Sequence, residues 1–441
     1  MTVTAGAAAT KGLPSSHVHA ADARRGISSR VVAATIAGNA LEFFDFGVYA
    51  FFAPFIAKAF FPSEDPMAGL LATLAVFGIG FLFRPLGGIL FGRMADRVGR
   101  KPAMLATIAL ITVGTLALAV TPSYASIGIA APLIVVAARL IQGLALGGEV
   151  GPSTSYLVEA ASESKRGLYA SWQLASQGIA GALSGGLGWL MAISMPPGDL
   201  ATWGWRVPFF AAVLLVPVAM YMRSSMPETL EPITHETTQH PIARISEHIG
   251  AILLSILVVL GGTISTYLVI FLSTTFAMTS LKFPPPVAFL IAAVNGLVTC
   301  VFSLVGGWLS DRYGRRVIML LPRLVLLVGT YPAMRWLFDA PSAVSLLAVC
   351  SGMAAMVAVS GGASLAAVPE VFPARVRALG LSIAYAVGVA IFGGSTQLVV
   401  QWLVNAFHDP MVMAWYSIAA SLLCLIGILL LPETAGRALK R

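Results

Sequence analysis

The feature that most constrains this chain is a succession of apolar stretches, each long enough to cross a hydrocarbon core of about 30 Å as a helix. They fall near residues 31–57, 68–91, 103–121, 126–149, 168–194, 206–223, 248–277, 286–309, 317–338, 342–367, 378–405 and 412–431. Lipid offers nothing to satisfy a backbone N–H or C=O, so a spanning segment must be a helix or part of a closed barrel. Stretches of this length read as helices, and the expected fold is an all-α integral membrane protein with twelve spans. Composition agrees: 58% of residues are hydrophobic and only 10% charged, against about 25% charged in an ordinary soluble domain.

The chain repeats itself. "GRMADRVGRK" (Gly92–Lys101) returns as "GWLSDRYGRR" (Gly307–Arg316), nearly half the chain later. Glu159 followed by "SKRGL" is echoed by Glu370 followed by "ARVRALG", and "MPET" (Met226–Thr229) by "LPET" (Leu431–Thr434). These landmarks come after the second, fourth and sixth spans of each half, so the halves run the same way through the membrane as parallel repeats. The predicted organisation is a disordered tail (1–30), a six-helix bundle (31–223), a polar connector (224–247), a second six-helix bundle (248–432) and a short tail (433–441).

Lys and Arg set the expected orientation. Lys58, Arg206, Lys282 and Arg335 fall on one face, Arg84 and Arg139 mid-span, and the rest on the face carrying both termini. The positive-inside rule places that face in the cytoplasm. The net charge of +8 is thus topology, and no basic domain points to nucleic acid. The first thirty residues lack the apolar run of a cleaved signal. Cys300, Cys350 and Cys424 are few and scattered within spans, so they read as packing residues, and no disulfide, metal site or cofactor is indicated.

The doubled G-x-x-x-D-R-x-G-R-[KR] loop resembles the signature of the major facilitator superfamily, over essentially the whole chain. "GNALEFFDF", "FLFRPLGGILFGRMADRVGRK", "RLIQGLALGGE", "WGWRVPFF" and "FPARVRALGLSIAYAVGVAIFGGS" look like its metabolite:proton symporter family, and within it the citrate and 2-oxoglutarate permeases. The resemblance implies alternating access, coupled movement of a proton and a small organic acid, and a plasma-membrane location. It also implies that Asp96 and Arg100 latch the first bundle to span 11, with Asp311 in the matching role. Arg97, Arg312, Arg315, Glu149, Glu159, Glu370 and Arg375 join the candidate gate network. A solvated charge run that only sets topology is the plainer reading, although topology needs neither the Gly nor the Asp.

Four ionisable groups share the central slab. At 1.5 Å per residue, Glu42, Asp45, Arg84 and Arg139 each lie roughly 12–20 Å in from the terminal face. Intramembrane charges are tolerated when paired or lining a wet cavity. Burial raises a carboxylate's pKa and a nearby Arg lowers it, so a group between the two influences can trade protons as access alternates. By resemblance Asp45 is the proton carrier, tuned by Arg139, with Glu42 as the other candidate; structural roles for both stay open. Gly143, Gly147 and Gly151 after Arg139 form a small-residue stripe for close helix packing.

Arg84 has two readings. It can bind a carboxylate bidentately, or bridge to Asp45 or Glu42. Candidate polar neighbours are Asn39, Gln142, Trp172, Gln173 and Gln177 in the first half and Tyr267, Asn295, Arg323, Tyr385 and Gln397 in the second. One or two cations over a polar cavity suit a di- or tricarboxylate; a zwitterionic osmolyte such as proline or betaine is the alternative. A membrane-embedded enzyme would need H-E-x-x-H, G-x-S-x-G or G-x-G-D, and none is present. A P-loop is also absent, which excludes direct nucleotide drive. A channel fits the doubled gating loop poorly.

Overall fold

The computed structural model describes residues 29–98, 100–147, 154, 157–158, 161–224, 246–437 and 439. The expected connector therefore lies almost entirely outside the described residues, as does nearly all of the N-terminal tail. Every regular element among the described residues is helical.

Among the described residues, eight helices are long and apolar enough to cross a membrane, and nine if one bent pair is a single span. The other three expected spans fall on Ala130–Leu146, Arg166–Ser194 and Val207–Ser224. The first two are a short apolar helix and a Gly/Ser-rich one, so length or composition makes each less conspicuous. Large apolar side chains stay exposed on the outside, among them Leu214 at 77% and Val328 at 75%. Such a surface suits lipid, not water.

Span 2 breaks for one residue at Phe83, and three further spans expected to be uninterrupted are divided as well. Span 1 divides into Ser29–Phe51 and Ala53–Phe60, bent by 68°. Pro54 stands at the start of the second piece, where it supplies no N–H to the helix before it. Span 7 runs Ile249–Thr266, Tyr267–Leu272 and Ser273–Thr279, with the middle piece widened into a π-helix. Span 11 runs Ala374–Tyr385, Ala386–Gly393 and Gly394–Phe407, again with a π-helical middle. Such bulges leave carbonyls off the regular ladder and often mark functional positions.

Glycine decides two packing seams. A Cβ on Gly143 would run into the Gly80 carbonyl, and one on Gly147 into the Arg84 carbonyl. Span 4 therefore lies backbone to backbone against span 2 (Pro66–Leu82 and Arg84–Val98), as the glycine stripe predicted; Gly151 lies outside the described residues. Span 5 (Arg166–Ser194) meets span 8 (Pro285–Tyr313) at Gly178, Gly185, Gly296 and Gly307, equally closely. This contact joins the two bundles along their length.

Candidate functional site

The four central charges sort into two groups. Arg139 Nη1 donates to Asp45 Oδ2 at 3.0 Å and to Gln142 Oε1 at 2.8 Å. Thr115 Oγ1 hydrogen-bonds Asp45 Oδ1 at 2.9 Å, and Gln142 Nε2 donates to Thr115 Oγ1 at 2.9 Å. The Arg139 guanidinium lies over Tyr49, 3.8 Å from the ring centroid. Asp45, Arg139 and Gln142 are all buried, so three helices close a polar ring inside an aromatic wall. Paired charges of this kind are tolerable where single ones are not.

Arg84 belongs to the other group. Its guanidinium lies 4.0 Å from the Phe81 centroid and 5.2 Å from that of Phe46. Its electrostatic partners are Tyr267 and Glu42. Arg84 Nε is buried without a hydrogen-bond partner. The two carboxylates one turn apart thus serve different arginines.

Arg84 lines a cavity between the bundles with Phe43, Gln173 and Gln177 from the first and Thr263, Thr266, Tyr267, Ser364 and Tyr385 from the second. Its volume is about 90 Å³, well under the ~300 Å³ at which small-molecule pockets begin. The cavity is contracted in this state. On the face away from the repeated loops, aromatic pairs across the bundles close it off: Phe51 stacks on Phe271 at 5.9 Å, and Phe52 packs at a tilt against Phe289 at 4.5 Å. Thr275 Oγ1 donates to the Ala50 carbonyl at 3.1 Å in the same layer.

Of the candidate ligands, Arg84, Gln173, Gln177, Tyr267 and Tyr385 come together on this cavity. The others do not line it. Asn39 is tied to span 5, donating to Gln173 O at 3.0 Å and Ser176 Oγ at 2.6 Å. Gln142 is held in the Asp45 ring, and Trp172 is half-buried outside the lining. Asn295 accepts from Ser351 Oγ at 3.0 Å. Gln397 is buried with both amide atoms unpartnered. Arg323 donates to Gly261 O, Ser265 Oγ and Ser360 Oγ at 2.8–3.2 Å, directly behind the cavity wall at Gly262. The lining hydroxyls Thr263, Thr266 and Ser364 were not anticipated, since a lone Ser or Thr in a span carries no signal of which way it faces.

The second repeated loop forms a compact cluster. Asp311 accepts from Gly167 N at 2.8 Å and Leu168 N at 2.9 Å, the first turn of span 5 in the other bundle. A carboxylate is favoured there by the helix dipole and the free N–H groups. Arg315 pairs with Asp311 at 2.7 Å and Glu370 at 3.1 Å. Glu433 accepts from Arg315 N at 2.9 Å and Arg316 N at 3.0 Å, capping span 9 (Arg315–Asp339), and Thr434 Oγ1 donates to Glu370. The repeated loop, the repeated Glu and the repeated Pro-Glu-Thr thus meet in one place. Burial works to raise the Glu433 pKa, but the backbone N–H groups of Ala435, Arg316, Arg315 and Thr434 hold it below the ordinary carboxylate value. Arg312 departs from the expected network: it is exposed and stacks over Trp308 at 4.3 Å. Glu149 and Glu159, and the side chains of Asp96, Arg97, Arg100 and Arg375, lie outside the described residues.

Two helical bundles in parallel repeat, a central charged cavity and a loop cluster bridging the bundles define a secondary transporter. The family model for the Major Facilitator Superfamily matches residues 35–388 and 254–440, and the chain belongs to that family. It is 35% identical over 405 residues to a citrate-proton symporter of Salmonella typhi, covering 91% of this chain and 93% of that one. It is 35% identical over 437 residues to an alpha-ketoglutarate permease of Escherichia coli (strain K12), covering 96% and 98%. A proline/betaine transporter of Salmonella typhimurium is 32% identical over 429 residues, covering 93% and 85%. The crystal structure of a D-xylose-proton symporter shares the fold, with a TM-score of 0.73 at 18% identity over 93% of this chain and 99% of that one. The protein is a multi-pass membrane transporter and not an enzyme.

Proposed function

We propose that this chain carries a small di- or tricarboxylate, such as citrate or 2-oxoglutarate, together with a proton into the cell by alternating access. Arg84 carries the reading. It is a guanidinium on the wall of the inter-bundle cavity with Nε unpartnered, beside Tyr267, Gln173 and Gln177. A planar fork of this kind matches a carboxylate. Asp45 holds the transported proton: protonating it dissolves its pairing with Arg139 and frees the polar ring to rearrange, and Glu42 is the alternative carrier. Both termini and the repeated loops face the cytoplasm, following the Lys/Arg asymmetry. The repeated loops carrying Asp96 and Asp311 govern conformation and leave substrate untouched.

The test is uptake by purified protein in liposomes under an imposed pH gradient, with radiolabelled citrate, 2-oxoglutarate, succinate, proline and betaine. Uphill uptake of a carboxylate, abolished by collapsing the gradient, is the expected result. The 32% identity to a proline/betaine transporter supports a zwitterion as the second reading. Betaine or proline uptake with no competition from any carboxylate would select it.

A further inference from the structure

A second cavity, of about 620 Å³, lies on the face opposite the repeated loops, against the outer ends of spans 1 and 2 and the turn joining spans 7 and 8. It shares no lining residue with the central cavity, and the Phe51–Phe271 and Phe52–Phe289 contacts stand between them. Its volume is within the range of small-molecule pockets, about 300–1,000 Å³.

The charged side chains on its wall are of one sign, with exposed Glu64 and Asp65 beside it between the lining residues Ser63 and Pro66. Lys58 lines it from the first bundle and Lys282 from the second, both exposed, while no carboxylate does. Asp65, nearby in sequence, is occupied in capping Met67 N at 2.9 Å. The other two cations of this face are committed: Arg206 donates to Thr121 O at 2.9 Å, and Arg335 pairs with Asp339 at 3.0 Å. Neither lysine has a hydrogen-bond or ion-pair partner among the described residues. Lys282 also sits at φ 58°, in a turn fixed by Phe283 N donating to Ala277 O at 2.9 Å. Among the described residues, the two free cations of the face thus share one cavity, one from each bundle.

We propose that this cavity is an outer docking site for the anionic substrate, with Lys58 and Lys282 as its cationic contacts; it rests on the carboxylate reading and the orientation given above. An ammonium is a compact, strongly hydrated charge on a flexible stem, suited to brief capture where the Arg84 fork suits oriented binding. An anion held there waits above the closed aromatic layer. Because the lysines belong to different bundles, opening the layer separates them and releases the anion toward Arg84.

Lys58→Gln, Lys282→Gln and the double variant test this through initial rates of citrate and 2-oxoglutarate transport in both directions, at low and at physiological ionic strength. The double variant is expected to lose roughly tenfold in kcat/KM for uptake from the outer side at low salt, the lower end of the range for electrostatic focusing. The loss shrinks at physiological salt, where the Debye length is about 8 Å. Efflux kcat/KM falls by the same factor, because a carrier cannot alter the transport equilibrium, while the uptake loss lies in KM with kcat for uptake unchanged, which also shows that the variant is folded. Unchanged outer kcat/KM, or a loss that falls on kcat for uptake with KM unmoved and is the same at both salts, overturns the docking site while the carboxylate reading stands. Wild-type protein that moves betaine and no carboxylate overturns both.

Discussion

Asp45 and Arg139 form an ion pair at 3.0 Å with 3% and 1% of their side chains exposed, while Arg84 finds its partners elsewhere. This division separates a group suited to carrying a proton from one suited to holding an anion. Removing one member of a buried pair typically costs 3–5 kcal/mol, so the two sites respond differently to substitution.

Asp45→Asn keeps a hydrogen-bond acceptor for Thr115 and Arg139 but removes the charge. Uphill accumulation driven by a pH gradient is expected to vanish, while exchange of labelled for unlabelled substrate persists in part. Normal accumulation by this variant moves the proton to Glu42 or elsewhere.

Arg84→Lys retains charge without the planar fork, and Arg84→Ala removes both. Losing a charge-assisted hydrogen bond costs about 1.5–3 kcal/mol, so the apparent KM for a carboxylate should rise roughly ten- to a hundredfold, more for Ala than for Lys. Lost coupling with an unchanged KM would instead make Arg84 a structural partner of Glu42.

Asp311→Ala removes the acceptor for Gly167 N and Leu168 N across the bundle interface. Turnover is expected to change far more than affinity, because the cluster lies away from the central cavity. Equilibrium binding in detergent beside transport kinetics in liposomes separates the two quantities. A large affinity loss at normal turnover contradicts a conformational role.

Gly143→Ala drives a methyl into the Gly80 carbonyl, whereas Gly186→Ala meets nothing within 4 Å. Overpacking costs about 1–3 kcal/mol, so the first variant should unfold at lower temperature in a fluorescence melt and the second should match the wild type.

Glu433 predicts a pH dependence of the loop-face cluster. Its folded pKa is depressed below its unfolded value, so its contribution is complete above the unfolded pKa and is lost as pH falls through the folded one. Protection of the C-terminal segment against protease should therefore decline only below the ordinary carboxylate range. Glu433→Gln should lower that protection at neutral pH and flatten the decline.

Much of this was legible beforehand. Gly143 and Gly147 announced a close helix seam through their spacing, and the repeated Asp311 and Glu370 announced a shared site through recurrence at matching offsets. Asp45 and Arg139 were singled out because a charge in lipid demands a partner. The bend at Phe52 was only half visible, in Pro54, and the π-helical turn at Tyr267–Leu272 carries no residue that gives it away.

What the sequence determined by itself is what depends on local free energies of transfer and on spacing along one helix: an all-helical membrane fold, its twofold repeat and the residues too costly to leave alone in lipid. What only the tertiary structure decided is which of those residues meet. Asn39, Gln142 and Arg323 looked as ready for a ligand as Gln173 or Tyr267, yet helix rotation commits them to Gln173 O, to the Asp45 ring and to Gly261 O. Rotation and depth of one helix against another are set by close packing of many neighbours, as at Gly80 against Gly143, and no single span encodes that register.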